Sequence, residues 1–231
     1  MTLISEKEVF RSSPDLMIII ITIFLWLYVS INLNTNLGLI YLGMGFFYWI
    51  MRNTKFSNVY PIMKGKPDIM RFLTIGMIFA FVWIYMVSGV LSSVFSLPMT
   101  SVPAFTLDTA KNAFGSNIAA MSPLLLLFLM GICVPIIEES SLRGALVPFL
   151  HRVFGKNFLM VAIVTGSVFG VLHLLAYNAE NTAMMSAFFF GMLMYYITVK
   201  TDNLVIPIFC HAMLNTLVMA TSLGYLSVGI I

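Results

Sequence analysis

Glu138 and Glu139 stand side by side in the run Pro135-Ile-Ile-Glu-Glu-Ser-Ser-Leu-Arg-Gly144, which lies within otherwise apolar sequence. A carboxylate at the centre of a bilayer costs at least about 2.5–3.5 kcal/mol, so an adjacent pair requires either a buried ion-pair network or chemistry. Residues four apart share a helix face. That spacing sets Glu139 beside Arg143 and leaves Glu138, about 100° further round, unpaired and facing a cavity. The same spacing recurs twice downstream, in Phe169 and His173 and in His211 and Asn215. One histidine in an apolar helix reads as a satisfied core residue. Polar groups on three separate helices read as a site.

The parts suit hydrolysis of an amide by water. A carboxylate held away from bulk solvent serves as a general base, and a neutral imidazole within hydrogen-bond reach positions the same water. A second imidazole and an asparagine amide can donate to the oxyanion formed when a peptide carbonyl is attacked. The competing chemistry is metal-assisted, because two histidines and a glutamate are a zinc-ligand set with an open fourth position. In that case Glu138 or Glu139 joins His173 and His211. The local His-Glu-x-x-His signature is absent, so spacing does not select zinc. Cys210 beside His211 suggests a thiol nucleophile, but adjacent helical residues point about 100° apart, and a buried thiol without a neighbouring cation stays protonated.

These residues need helices to carry them, and the composition says of what kind. Of 231 residues, 60% are hydrophobic and 9% charged, with 20 Phe and 18 Met, against roughly 25% charged in a soluble domain. The expected fold is all-α, a polytopic transmembrane bundle of about seven helices, since only helices or closed barrels satisfy the backbone in lipid. At about 20 apolar residues per span, the candidates are Leu16–Leu33, a short Leu37–Met51, Phe72–Phe95, a fourth from about Ser122, Phe158–Ala176, Ala183–Val199 and Leu204–Leu223. The active site is expected inside the C-terminal four-helix core. Residues 1–121 then supply helices one to three and an outside loop, Ser96–Met121, and residues 122–231 the catalytic core. The first apolar stretch is longer than the roughly 7–15 residues of a signal-peptide core, and Ser12-Ser13-Pro14-Asp15 reads as a helix start.

Basic residues mark one side. Lys7, Arg11, Arg52, Lys55, Lys64, Lys66, Arg71, Arg152, Lys156 and Lys200 fall before helix one or in the second, fourth and sixth connections, and Lys111 alone falls on the other side. The positive-inside rule then places the N-terminus in the cytoplasm and the C-terminus outside. The net charge of +3 is topological and implies no nucleic-acid partner. Cys133 and Cys210 lie in apolar runs and imply no disulfide framework. His151 and Arg152 read as solvated or headgroup contacts.

Depth supports convergence. Glu138 and His173 are equidistant from the Gly155-Lys156 turn, and His211 lies level with Gly191-Met192 of helix six. That is about nine residues, or ~13 Å, from either end of that helix. Gly166-x-x-x-Gly170 is expected to seat helix five against helix four, since small residues let backbones approach.

In order and spacing, Glu138-Glu139-x-x-x-Arg143, Phe169-x-x-x-His173 and His211-x-x-x-Asn215 resemble the three motifs of the type II CAAX prenyl endopeptidases. Their wider group is the CAAX protease and bacteriocin-processing, or Abi, family. The resemblance covers about Ser122–Leu223. It implies an intramembrane endopeptidase in which Glu138 and His173 activate water and Glu139 with Arg143 organises the first motif. His211 and Asn215 complete the site at the oxyanion. Members are described both as metalloproteases and as metal-free glutamate proteases. The metal-free version is preferred because the third motif ends in Asn215 rather than Asp, so no cofactor is expected. The small size looks bacterial, at the cell membrane, with a membrane-associated signalling peptide or bacteriocin leader as substrate. The alternative is a non-catalytic membrane protein that confers bacteriocin immunity or regulates a sensor by packing. In that case the motif residues are structural, and Glu138→Ala acts only through folding.

Overall fold

The computed structural model describes residues 13–32, 35–53, 69–95, 122–177 and 181–222, and among them the chain is helical with no strand. Seven helices follow in order: α1 (Ser13–Asn32), α2 (Thr35–Asn53), α3 (69–95), α4 (Pro123–Phe154), α5 (Phe158–Tyr177), α6 (Asn181–Thr201) and α7 (Val205–Ser222). Among the described residues the helices number seven, as expected. Their spans agree with the hydropathy reading to within a few residues, except that α2 is longer than expected. The Ser96–Met121 loop lies outside the described residues.

The turns follow from local chemistry. Between α4 and α5 the chain reverses at Gly155, whose φ of +60° suits a residue without a side chain. Asn157 Oδ1 then accepts from the Met160 amide at the start of α5. Between α6 and α7, Asp202 takes a left-handed φ of +48°. Asn203 Oδ1 caps α7 by accepting from the Val205 amide at 2.8 Å.

Helix α4 is the hub of the bundle. It touches α1, α2, α5, α6 and α7, while α1 packs on α2, α3 on α7 and α5 on α6. Two helices, Pro123–Phe154 and Phe158–Leu175, are long and apolar enough to cross a membrane. Large apolar side chains face outward along the bundle, with Ile31, Met70 and Leu124 each about three-quarters exposed. Such a surface suits lipid rather than water.

α4 is not a regular α-helix. Leu129–Cys133 and Ser140–Leu146 are π-helical, and the α-helical stretch Val134–Glu139 lies between them. Each π segment ends two residues before a proline, Pro135 in one case and Pro148 in the other. A proline ring inside a helix lacks the N–H for the i−4 carbonyl and collides with it. Widening the preceding turn accommodates both effects. A third π segment, Val82–Val87 in α3, has no proline beside it.

The glycines of α5 correct one expectation. A Cβ on Gly166 would meet the Phe188 carbonyl at 2.7 Å, and one on Gly170 the Met184 carbonyl at 2.9 Å. They seat α5 against α6, not against α4. α5 and α6 are in contact at the depth of these glycines, whereas α5 meets α4 through the stretches Ser140–Leu146 and Val147–Phe154.

Candidate active site

Glu139 and Arg143 form the base of the site, both with fully buried side chains. Arg143 Nη1 donates to Glu139 Oε1 at 3.2 Å, the ion pair expected from their spacing. Arg143 Nη2 donates to the Gly191 carbonyl of α6 at 3.1 Å. The guanidinium also lies 4.7 Å from the centre of the Phe169 ring, a cation–π contact that a desolvated arginine favours. One side chain thus links α4, α5 and α6. Close approach of the helices makes this possible, because Gly191 presents no Cβ to Gly166 and Phe169.

His211 comes in from α7 and engages both glutamates. Its Nδ1 donates to Glu139 Oε1 at 2.8 Å, and its Nε2 stands 3.7 Å from Glu138 Oε2. The expectation that Glu138 is unpaired is therefore wrong, and Glu139 has a second partner besides Arg143. Periodicity within α4 can pair residues only along that helix. A partner delivered by α7 is invisible to it.

His173 is fixed differently. Its Nδ1 donates to the Phe169 carbonyl one turn earlier at 3.0 Å, which leaves Nε2 as the acceptor of the neutral ring. Phe169 lies against it with ring centres 4.4 Å apart. Asn215 donates one amide hydrogen to the Met130 carbonyl at 3.1 Å. That carbonyl belongs to the first π segment, and a side-chain amide supplies it with a partner from α7. The second amide hydrogen is not used by that bond.

Glu138, His173, His211 and Asn215 line one cavity of about 30 Å³, above the roughly 10–15 Å³ that a water molecule needs. Three helices thus bring four of the six residues singled out in the sequence to one water-sized space, with Glu139 and Arg143 supporting His211 from below. Ser186 of α6 and an apolar wall that includes Trp83, Phe169 and Phe190 complete the lining. Ser186 and Trp83 carry no spacing signal. Ser186 is one hydroxyl on an apolar helix, and Trp83 one aromatic among many.

Cys210 is buried and is not among the lining residues, in keeping with the phase difference from His211. His151 lies at the α4–α5 end, between the Gly155 carbonyl at 3.1 Å and the Tyr195 hydroxyl at 3.2 Å.

For zinc, the candidate donors are Glu138 or Glu139 with His173 and His211. Among the described residues no three of His, Cys, Asp and Glu stand close enough together to hold a metal ion. His211 already directs Nδ1 to Glu139 and Nε2 towards Glu138. The donor set does not fit a metal in this arrangement.

Residues 120–217 match the family model described as Type II CAAX prenyl endopeptidase Rce1-like. No curated protein and no solved structure matches the chain. The matched segment begins just before α4, ends within α7 and contains all six site residues.

Proposed function

We propose that the chain is a type II CAAX prenyl endopeptidase-like intramembrane endopeptidase that hydrolyses a peptide bond of a membrane-associated peptide, a reading supported by the match of residues 120–217 to the Rce1-like family model. The observation that carries the reading is the convergence of Glu138, His173, His211 and Asn215 on one water-sized cavity.

In the proposed reaction, Glu138 takes a proton from a cavity water that His173 Nε2 orients. The hydroxide oxygen bonds to the substrate carbonyl carbon, and the carbonyl oxygen becomes the oxyanion. Donors already aimed at that position stabilise it without reorganising. Asn215 contributes its second amide hydrogen and His211 its Nε2–H. For Nε2 to donate, the ring must carry both protons. Glu139 at Nδ1 and Glu138 near Nε2 supply the negative charge that such an imidazolium requires. The proton held by Glu138 then passes to the amide nitrogen as the C–N bond breaks, giving a carboxylic acid and an amine and returning Glu138 to its carboxylate.

The chain is proposed to cross the membrane several times. Arg52, Arg71, Arg152, Lys156 and Lys200 lie at the α2–α3, α4–α5 and α6–α7 ends, which an up-and-down bundle places on one side. The positive-inside rule assigns that side to the cytoplasm. The test is mass spectrometry of membrane peptides from cells carrying wild-type or Glu138→Gln protein at matched levels. A peptide cut only in wild-type cells is expected. Identical peptide profiles would remove the endopeptidase reading.

A further inference from the structure

The site includes a residue from outside the matched segment. Trp83 belongs to α3, is 2% exposed, and lines the cavity together with Glu138 and His173. Its indole meets Phe190 edge-on, with ring centres 5.2 Å apart and planes at 87°, and stacks on Phe79 at 6.2 Å and 19°. Phe190 in turn meets the His211 ring at 4.9 Å and 64°. A fixed aromatic chain therefore runs from α3 to the imidazole that spans the two glutamates. Trp83 is also the second residue of the π segment Val82–Val87, and π segments inside α-helices occur frequently at functional sites.

The cavity has room for a few waters at most, about 30 Å³ against the roughly 10–15 Å³ that one needs. A branched or aromatic side chain entering beside Glu138 would press on the wall. Trp83 is the largest side chain in that wall, and its contacts on Phe79 and Phe190 hold it in place.

Resting on the endopeptidase reading, we propose that Trp83 is the specificity-determining residue that restricts cleavage to peptide bonds flanked by a small residue, Gly, Ala or Ser. The indole occupies the space that a bulkier flanking side chain would need. It takes no part in the proton transfers. Its removal therefore changes which peptides are cut and leaves the mechanism intact. A pocket that discriminates by one methylene gives about 10–200-fold in rate, and the difference between Ala and Leu or Phe should reach or exceed that range.

The experiment uses the full chain in detergent with a defined pool of short synthetic peptides in which every amino acid occurs at every position. Cleavage is read by mass spectrometry for wild type, Trp83→Ala, Trp83→Phe and Glu138→Gln. Wild type is expected to favour bonds flanked by small residues. Trp83→Ala should raise kcat/KM for Leu- and Phe-flanked bonds relative to Ala-flanked ones by at least 10-fold, with Trp83→Phe intermediate. A merely structural tryptophan would lower all rates together and leave the ratio unchanged, and that result overturns the inference. Equal cutting of small- and bulky-flanked bonds by wild type also overturns it. If Trp83→Ala does not fold, the ratio for Trp83→Phe decides by the same criterion. Absence of Glu138-dependent cleavage by wild type would instead sink the endopeptidase reading, and this inference with it.

Discussion

Asn215 donates its side-chain amide to the main-chain carbonyl of Met130 at 3.1 Å, joining α7 to the widened turn of α4 just before the paired glutamates. The same amide is available to a substrate oxyanion, so Asn215 has a packing role and a proposed chemical one. Asn215→Ala leaves the Met130 carbonyl without its partner, which costs about 1–3 kcal/mol. Asn215→Asp should destabilise more, because it sets an acceptor against an acceptor. Thermal unfolding in detergent would rank wild type above Ala above Asp. The reverse order for the two variants would exclude this account of the contact.

Glu138→Gln keeps the shape of the side chain but cannot take a proton from water. Peptide cleavage should fall by about 10²–10⁴-fold, the usual contribution of a positioned base, with thermal stability close to wild type. His173→Ala should behave similarly. Normal turnover by the purified Gln variant would take Glu138 out of the mechanism.

Arg143→Ala leaves Glu139 buried beside His211 without its guanidinium. Breaking a buried pair by removing one partner costs about 3–5 kcal/mol, a large share of a total stability of about 5–15 kcal/mol. Among the described residues, Glu139 Oε2 and Arg143 Nε have no hydrogen-bond partner. Replacing both members therefore removes two imperfectly satisfied groups. Glu139→Gln with Arg143→Met should recover part of the loss, since Gln still accepts from His211 Nδ1 and Met packs on Phe169. An Arg143→Ala protein as thermostable as wild type would contradict the ion pair.

Metal removal separates two chemistries. With Glu138 and His173 activating water alone, exhaustive chelation should leave peptide cleavage by the purified protein unchanged. His211→Asn should slow it by roughly 10²–10³-fold, as expected for loss of an oxyanion donor. Near-stoichiometric zinc that is lost together with activity, and restores it on return, would show the metal-free scheme to be wrong.

Gly191→Ala tests the close approach that Arg143 requires. An added Cβ would stand 2.9 Å from Gly166 Cα and 3.0 Å from Phe169 Cβ, so α6 must move away from α5. Overpacking of this kind costs about 1–3 kcal/mol. It should also weaken the Arg143–Gly191 bond and lower activity. Unchanged stability and activity would mean that the interface yields more easily than its contacts imply.

What could be read from the sequence were the features that are local or one-dimensional. Hydropathy located seven helices because each span must be apolar over its length, and the Glu139–Arg143 pair followed from a single helical turn. Convergence on a common depth was also legible, since counting from Gly155 and Asp202 gives depth in a hairpin. Contacts set by the rotation of one helix against another were not. The reach of His211 to both glutamates, the seating of Gly166 and Gly170 on α6, and the entry of Trp83 from α3 all depend on angles that no spacing within one helix encodes. The π segments lie between these cases. A proline at 135 and at 148 requires the ladder of α4 to give, but nothing in the residue types says that it gives by widening rather than by kinking.

Those two wide turns make α4 sensitive to where a residue is lost. A π turn holds one residue more than the α ladder. Deleting one residue from 129–133 or from Ser140–Leu146 would let that stretch close into α-helix with the helix on either side still in phase. The loss would fall on contacts made by the wide turn itself, such as the Asn215–Met130 bond and the fit of Gly131 against Thr216. Deleting one residue from the α-helical Val134–Glu139, where none is spare, would instead turn what precedes it by about 100° against Arg143. The paired carboxylates thus sit on the short stretch of α4 that has no slack, between two stretches that have one residue each.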